Sequence, residues 1–102
     1  MSAPRGNAVG LVRADLSENV ADDQKAVRAL AGWADLELVE GLVFDAATDM
    51  PTLRLMETVH RHQATVVIVP TAAHLGDGYR ALRETGIEVL CTAAADSRGE
   101  SA

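Results

Sequence analysis

Basic charge is what this sequence has least of. Of its 102 residues one is a lysine, Lys25, the arginines are scattered, and fifteen Asp and Glu against nine Lys and Arg leave a formal charge of -6 at pH 7. Neutralising phosphate takes clustered cations, so adhesion to an anionic membrane and specific DNA binding are both disfavoured. Cysteine is equally scarce. Cys91 alone excludes an internal disulfide and a cysteine-based zinc site and agrees with a reducing compartment; it reads as a small buried hydrophobe on a strand. Aromatic residues make up 3% of a chain that is 48% hydrophobic, so the core must be built from Ala, Val and Leu between close-packed layers. Long apolar runs are missing as well. The run Ala8 to Val12 is too short for a signal peptide or a membrane-spanning helix, and a cytoplasmic location is the default expectation.

What is present has one rhythm. Ala8 to Val12, Leu36 to Phe44, Ala64 to Val69 and Ile87 to Cys91 are short apolar runs, and the third is rich in β-branched residues. Near-continuous apolar strands imply burial on both faces, as helices on either side of a parallel sheet provide. Between them, Val27, Leu30, Ala31 and Ala34 form an amphipathic stripe that predicts a helix starting near Ser17 or Asn19. Leu55, Met56 and Val59 predict a second, with Pro51 in its first turn and Asp49 as cap. Tyr79 and Leu82 open a third, ended by Gly86. The alternation predicts one α/β domain over residues 8–95, a small doubly wound, mostly parallel sheet of four to five strands with right-handed crossovers and helices on both faces. Residues 1–7 and 96–102 are polar, small-residue tails.

In such sheets ligands and catalytic groups gather beyond the carboxyl ends of the strands. The loops there are Arg13 to Ser17, Asp45 to Asp49 and Thr71 to Gly78. At this edge Gly10-Leu11-Val12-Arg13-Ala14-Asp15 resembles the opening Tyr-x-Arg-x-Ser strand of serine recombinases of the resolvase and invertase type. Phe44 to Leu53 resembles that family's Asp-x-x-Ser-Gly and Arg-Pro-Gly-Leu, Ala72-Ala73-His74-Leu75-Gly76-Asp77 resembles Leu-Asp-Arg-Leu-x-Arg, and Gly86 to Leu90 resembles its Gly-Val-x-Val strand. The resemblance spans about residues 8 to 93 and implies the fold of a resolvase catalytic domain.

It also implies that the chemistry is gone. In that family a serine attacks a DNA phosphodiester while arginines stabilise the charge. Here Asp15 stands at the nucleophile's position, Met50, His74 and Asp77 at those of arginines, and Ala73 at that of an acid; only Arg13 and Asp45 fit. Loss of one cationic contributor typically costs ~2.7–4 kcal/mol in barrier, so these losses together abolish activity. Ser17 lies two residues late to replace the serine. The chain also has no room for the family's long dimerisation helix and DNA-binding region.

Other residues carry bland accounts. His60 and His62 point to different faces of a solvated helix end and cannot form an i, i+4 metal pair. Trp33 reads as a core or half-buried anchor. Asp15, Glu18, Asp22 and Asp23 compensate a helix dipole. Asp15 with Asp45 resembles the acidic pair of a receiver domain, but the expected lysine is missing. Gly76-Asp77-Gly78 is a turn with no phosphate loop after it. The expectation is therefore a non-enzyme without cofactor or metal, a resolvase-like protein-interaction or regulatory module that pairs with a protein partner or with itself as a homodimer. The alternative is a small-molecule or anion-binding domain with a cleft at Arg13, Asp15, Asp45 and His74, where His74 binds an anion or titrates near neutral pH; the plainer account of His74 is a surface or loop-packing residue. An active recombinase is the least favoured reading.

Overall fold

Strands and helices alternate along residues 4–93, the part of the chain that the computed structural model describes. They are β1 (Gly6–Arg13), α1 (Val20–Trp33), β2 (Leu36–Phe44), α2 (Pro51–Arg61), β3 (Val66–Val69), α3 (Gly78–Glu84) and β4 (Glu88–Cys91), with a 3₁₀ turn at Ala72–His74. The strands form a 4-stranded sheet in the order β2-β1-β3-β4, and every pairing is parallel. This is the expected small doubly wound α/β fold. Among the described residues there is no fifth strand. β1 starts earlier than the apolar run suggests, because Gly6 and Asn7 already pair with Leu36 and Glu37. The expected boundary at residue 95 and the tail 96–102 lie outside the described residues.

Two cores flank the sheet. On one face α1 lays Val27 and Ala31 against Ala8, Leu36, Val66 and Ile68. On the other, Leu55 and Val59 of α2 and Leu82 of α3 cover Val9, Leu11, Phe44, Val67 and Val69. Each fully buried Val, Leu or Ile contributes about 1.5–3 kcal/mol. α1 approaches β1 closely because Gly10 has no side chain: a Cβ there would meet Cγ1 of Val27 at 2.7 Å. The indole of Trp33 is not the anchor the sequence suggests, since it is 82% exposed. Trp33 lies two residues beyond the buried Ala31, about 200° around the helix, so it points away from the sheet.

A bulge gives β2 a share in both cores. Opposite consecutive residues Ala8 and Val9 the register passes from Leu38 to Glu40, leaving Val39 as the extra residue. Leu36 and Leu38, before it, face α1. Leu42 and Phe44, after it, face α2 and α3. Side chains alternate with period two, so residues of the same parity reach opposite faces only because of the insertion.

The helix ends follow local chemistry. Asn19 Oδ1 accepts from the Asp22 N–H at 3.1 Å and caps α1. Asp49 does not cap α2. The cap position is Met50, in the left-handed region at φ 49°, and makes no side-chain cap bond; Asp49 instead offers its carbonyl to Arg54 Nε at 2.7 Å. Gly86, at φ 81°, ends α3: its N–H donates to the Arg83 carbonyl, and the Ile87 N–H donates to that of Leu82. α2 ends in the same pair of bonds, from Gln63 to His60 and from Ala64 to Val59, but with a non-glycine, Gln63, at φ 52°. Among the described residues no helix is long and apolar enough to cross a membrane.

Candidate functional site

β1 and β3 are neighbours, yet the chain leaves their carboxyl ends in opposite directions, from β1 to α1 on one face and from β3 to α3 on the other. Such a reversal opens a crevice, the usual ligand position of a doubly wound sheet. Arg13 and Asp15 follow β1 here, and His74 follows β3. The structure brings these three together. The backbone N–H of Arg13 donates to Nδ1 of His74 at 2.9 Å, and the imidazole, 5% exposed, fills the space between the diverging loops. His74 is thus a packing residue, as expected, with a specific partner.

Accepting at Nδ1 requires a neutral ring protonated on Nε2. Burial lowers the His74 pKa and outweighs the opposing charge of Asp23; the smaller effects of Arg13, which lowers it, and Asp15, which raises it, come after. The Arg13 guanidinium is spent within the chain: Nε donates to Asp15 Oδ1 at 2.9 Å and Nη2 to Asp15 Oδ2 at 2.6 Å. That hydrogen bonding raises the Arg13 pKa and lowers that of Asp15. A two-toothed pair of this kind fixes geometry, but it presents an incoming anion with a cation already matched by a carboxylate.

Asp45 forms no hydrogen bond with them, although its charge adds to the raising of the Arg13 pKa. It follows β2 at the sheet edge, one strand removed from the crevice, and its carboxylate folds back on its own loop. Oδ1 accepts from the Ala47 N–H at 2.9 Å and from the Thr48 hydroxyl at 3.3 Å, while the Asp45 N–H donates to that hydroxyl at 2.9 Å. Ser17 is likewise engaged: its hydroxyl donates to Asp23 Oδ2 at 2.5 Å and accepts from the Asn19 N–H at 3.2 Å. An alkoxide there would stand against the Asp23 carboxyl, with the Arg13 cation already paired to Asp15. Burial raises the Cys91 pKa and keeps its thiol protonated. His60 sits in solvent as expected, but His62 does not. Its Nε2 is shut off from solvent without a hydrogen-bond partner, 3.4 Å from Glu40 Oε1.

Among the described residues no three His, Cys, Asp or Glu side chains are placed to hold a metal. A cavity of about 50 Å³ lies between α1 and the sheet, beside Gly10, Val27, Arg28 and Gly41. It is far below the roughly 300 Å³ at which small-molecule pockets begin. Two shallow grooves of about 490 and 400 Å³ run along α2 instead, beside Leu53, Met56 and His60 and beside Val59, Gln63 and Thr85, away from Arg13 and His74. What the sequence reading missed is the distribution of exposed apolar side chains. Leu16, Val43, Met50 and Leu53 are all exposed, and all lie in loops, strand ends or first helical turns at the carboxyl rim of the sheet. Each is unremarkable in one dimension, because only the topology places all four at the same end of the sheet. No family model matches the chain, and no curated protein or solved structure gives a significant match.

Proposed function

We propose that the chain is a non-catalytic protein-interaction or regulatory module that uses the carboxyl rim of its sheet as a contact surface. The observation that carries this reading is the placement of Leu16, Val43, Met50 and Leu53, four of the five large hydrophobic side chains exposed among the described residues, on one rim. Clustered exposed apolar side chains are characteristic of contact sites. The satisfied state of Arg13, Asp15, Asp45 and Ser17 supports the non-catalytic part, since each polar group that chemistry needs is already bonded within the chain. Descent from a resolvase-type catalytic domain and a cytoplasmic location belong to the same proposal. The first is supported by Arg13 and Asp45 at the ends of adjacent strands, the second by the free thiol of Cys91.

Light scattering coupled to size-exclusion chromatography tests the homotypic form of the reading. A concentration-dependent dimer that Leu53→Asp dissociates and Arg13→Ala leaves intact is the expected signature of self-association through the rim. A monomer at all concentrations removes that form and leaves contact with a different protein. Nicking of supercoiled plasmid that is lost in Arg13→Ala, or salt-sensitive binding to duplex DNA, overturns the proposal.

A further inference from the structure

The outer edge of β2 is a template for another strand. β2 ends the sheet, so among the described residues one row of its backbone N–H and C=O groups has no partner strand. Edge strands of this kind are normally blunted by lysine, proline or bulges. Here the bulge lies at Val39, and from Glu40 to Phe44 the register with β1 is regular. That stretch contains neither lysine nor proline. Its side chains leave the approach open: Gly41 presents no side chain and is exposed, and Val43, on the α1 face of the strand, is exposed as well.

Charge decides between occupants. Every charged residue from Asp35 to Asp49 is acidic, namely Asp35, Glu37, Glu40, Asp45 and Asp49. Glu40 and Asp45 stand at the two ends of the regular stretch. Asp45 bonds its own loop, and Glu40 has His62 beside it. A second copy of this chain would bring the same carboxylates to the same edge, where like charges oppose pairing. A chain with cations at both ends and β-branched residues between them meets carboxylates at the ends, open backbone at Gly41 and an apolar neighbour in Val43.

We propose that the Glu40–Phe44 edge of β2 binds an extended basic segment of a partner protein as an added strand. This rests on the interaction-module reading and gives the partner a chemistry. Main-chain pairing supplies the contact and the flanking charges supply the selectivity.

The test uses the full isotope-labelled chain, the peptide Arg-Val-Thr-Val-Thr-Arg with blocked ends, whose terminal side chains fall on opposite faces as Glu40 and Asp45 do, and its counterpart Glu-Val-Thr-Val-Thr-Glu. The expected result is that the basic peptide shifts the NMR amide signals of Glu40 to Phe44 and slows their hydrogen exchange, while the acidic peptide does neither. Neutralising both ends with Glu40→Gln and Asp45→Asn, which keep the side-chain acceptors, should weaken the basic peptide about fivefold, as expected for two exposed charge pairs. Shifts confined to another surface, equal binding of the two peptides, or no binding overturn the proposal. Light scattering on the same sample separates it from the reading it rests on. A dimer that protects the Glu40–Phe44 amides shows the edge taken by a second copy; it overturns the basic-partner inference and leaves the interaction module standing.

Discussion

Gly10 shows how much one missing side chain decides. A methyl group at that position has to displace Val27, whose Cγ1 would lie at 2.7 Å, and Val27 is itself 3% exposed and packed against the sheet. Gly10→Ala should therefore lower stability by about 1–3 kcal/mol, the usual cost of overpacking. Urea denaturation measures it, and adding Val27→Ala should return part of the loss if the clash is the cause. Equal costs for the single and double variants would locate the damage elsewhere. A glycine inside an apolar strand is compatible with close backbone approach, but the sequence alone names no partner for Gly10, and only the fold sets Val27 against it. Trp33 was misjudged because its size argued for burial more strongly than its helical phase argued against it.

Among the elements, the 3₁₀ turn after β3 is the one whose placement depends on protonation. Its His74 holds the start of the β1 loop through Nδ1, and a protonated ring has no lone pair there to accept with. Burial lowers its pKa in the folded chain, so the unfolded chain binds the proton more readily. The stabilising contribution is then complete above the unfolded pKa of roughly 6.5 and is lost as pH falls towards the folded value. Denaturant midpoints taken from pH 8 down to pH 5 should fall more steeply for the native chain than for His74→Asn, which keeps an acceptor and cannot titrate. Parallel curves would show that the pH response belongs to the carboxylates. The sequence placed His74 near Arg13 and Asp15 through the fold alone. It did not reveal the bond, since a backbone donor leaves no mark in composition. Nor did it reveal that Asp45 stands apart: Asp45 follows a strand as Arg13 does, and only the sheet order shows that β2 lies outside the reversal point.

The molecule as a whole has one sheet serving two cores, with β1 and β3 buried from both sides. Damage to either core should be felt by both. Leu55→Ala on the α2 face should cost about 2–5 kcal/mol. Unfolding curves from circular dichroism and from NMR signals of the α1 face should still coincide and move together. A surviving α1-face transition would show that the cores unfold separately. Strand type, helix positions and the parallel arrangement were readable from apolar runs and periodicity, because burial on both faces leaves so direct a trace. Helix ends were readable where Asn19 and Gly86 supply the cap chemistry and not at Met50, which adopts a left-handed conformation that its residue type does not announce.

The extra residue in β2 also limits how this chain can change over evolutionary time. Leu38 and Leu42 serve opposite cores only because Val39 lies between them as an unpaired insertion. The strand therefore has something like a reading frame. Losing the codon for Val39 would leave plain alternation, with Leu42 and Phe44 still on the face opposite Leu38, whereas losing two residues there would send Leu42 and Phe44 to the α1 face and turn Gly41 and Val43 towards α2. Edge strands are usually where a fold accepts changes in length, and this one can shed its single extra residue, but not two, without moving a side chain from one core to the other.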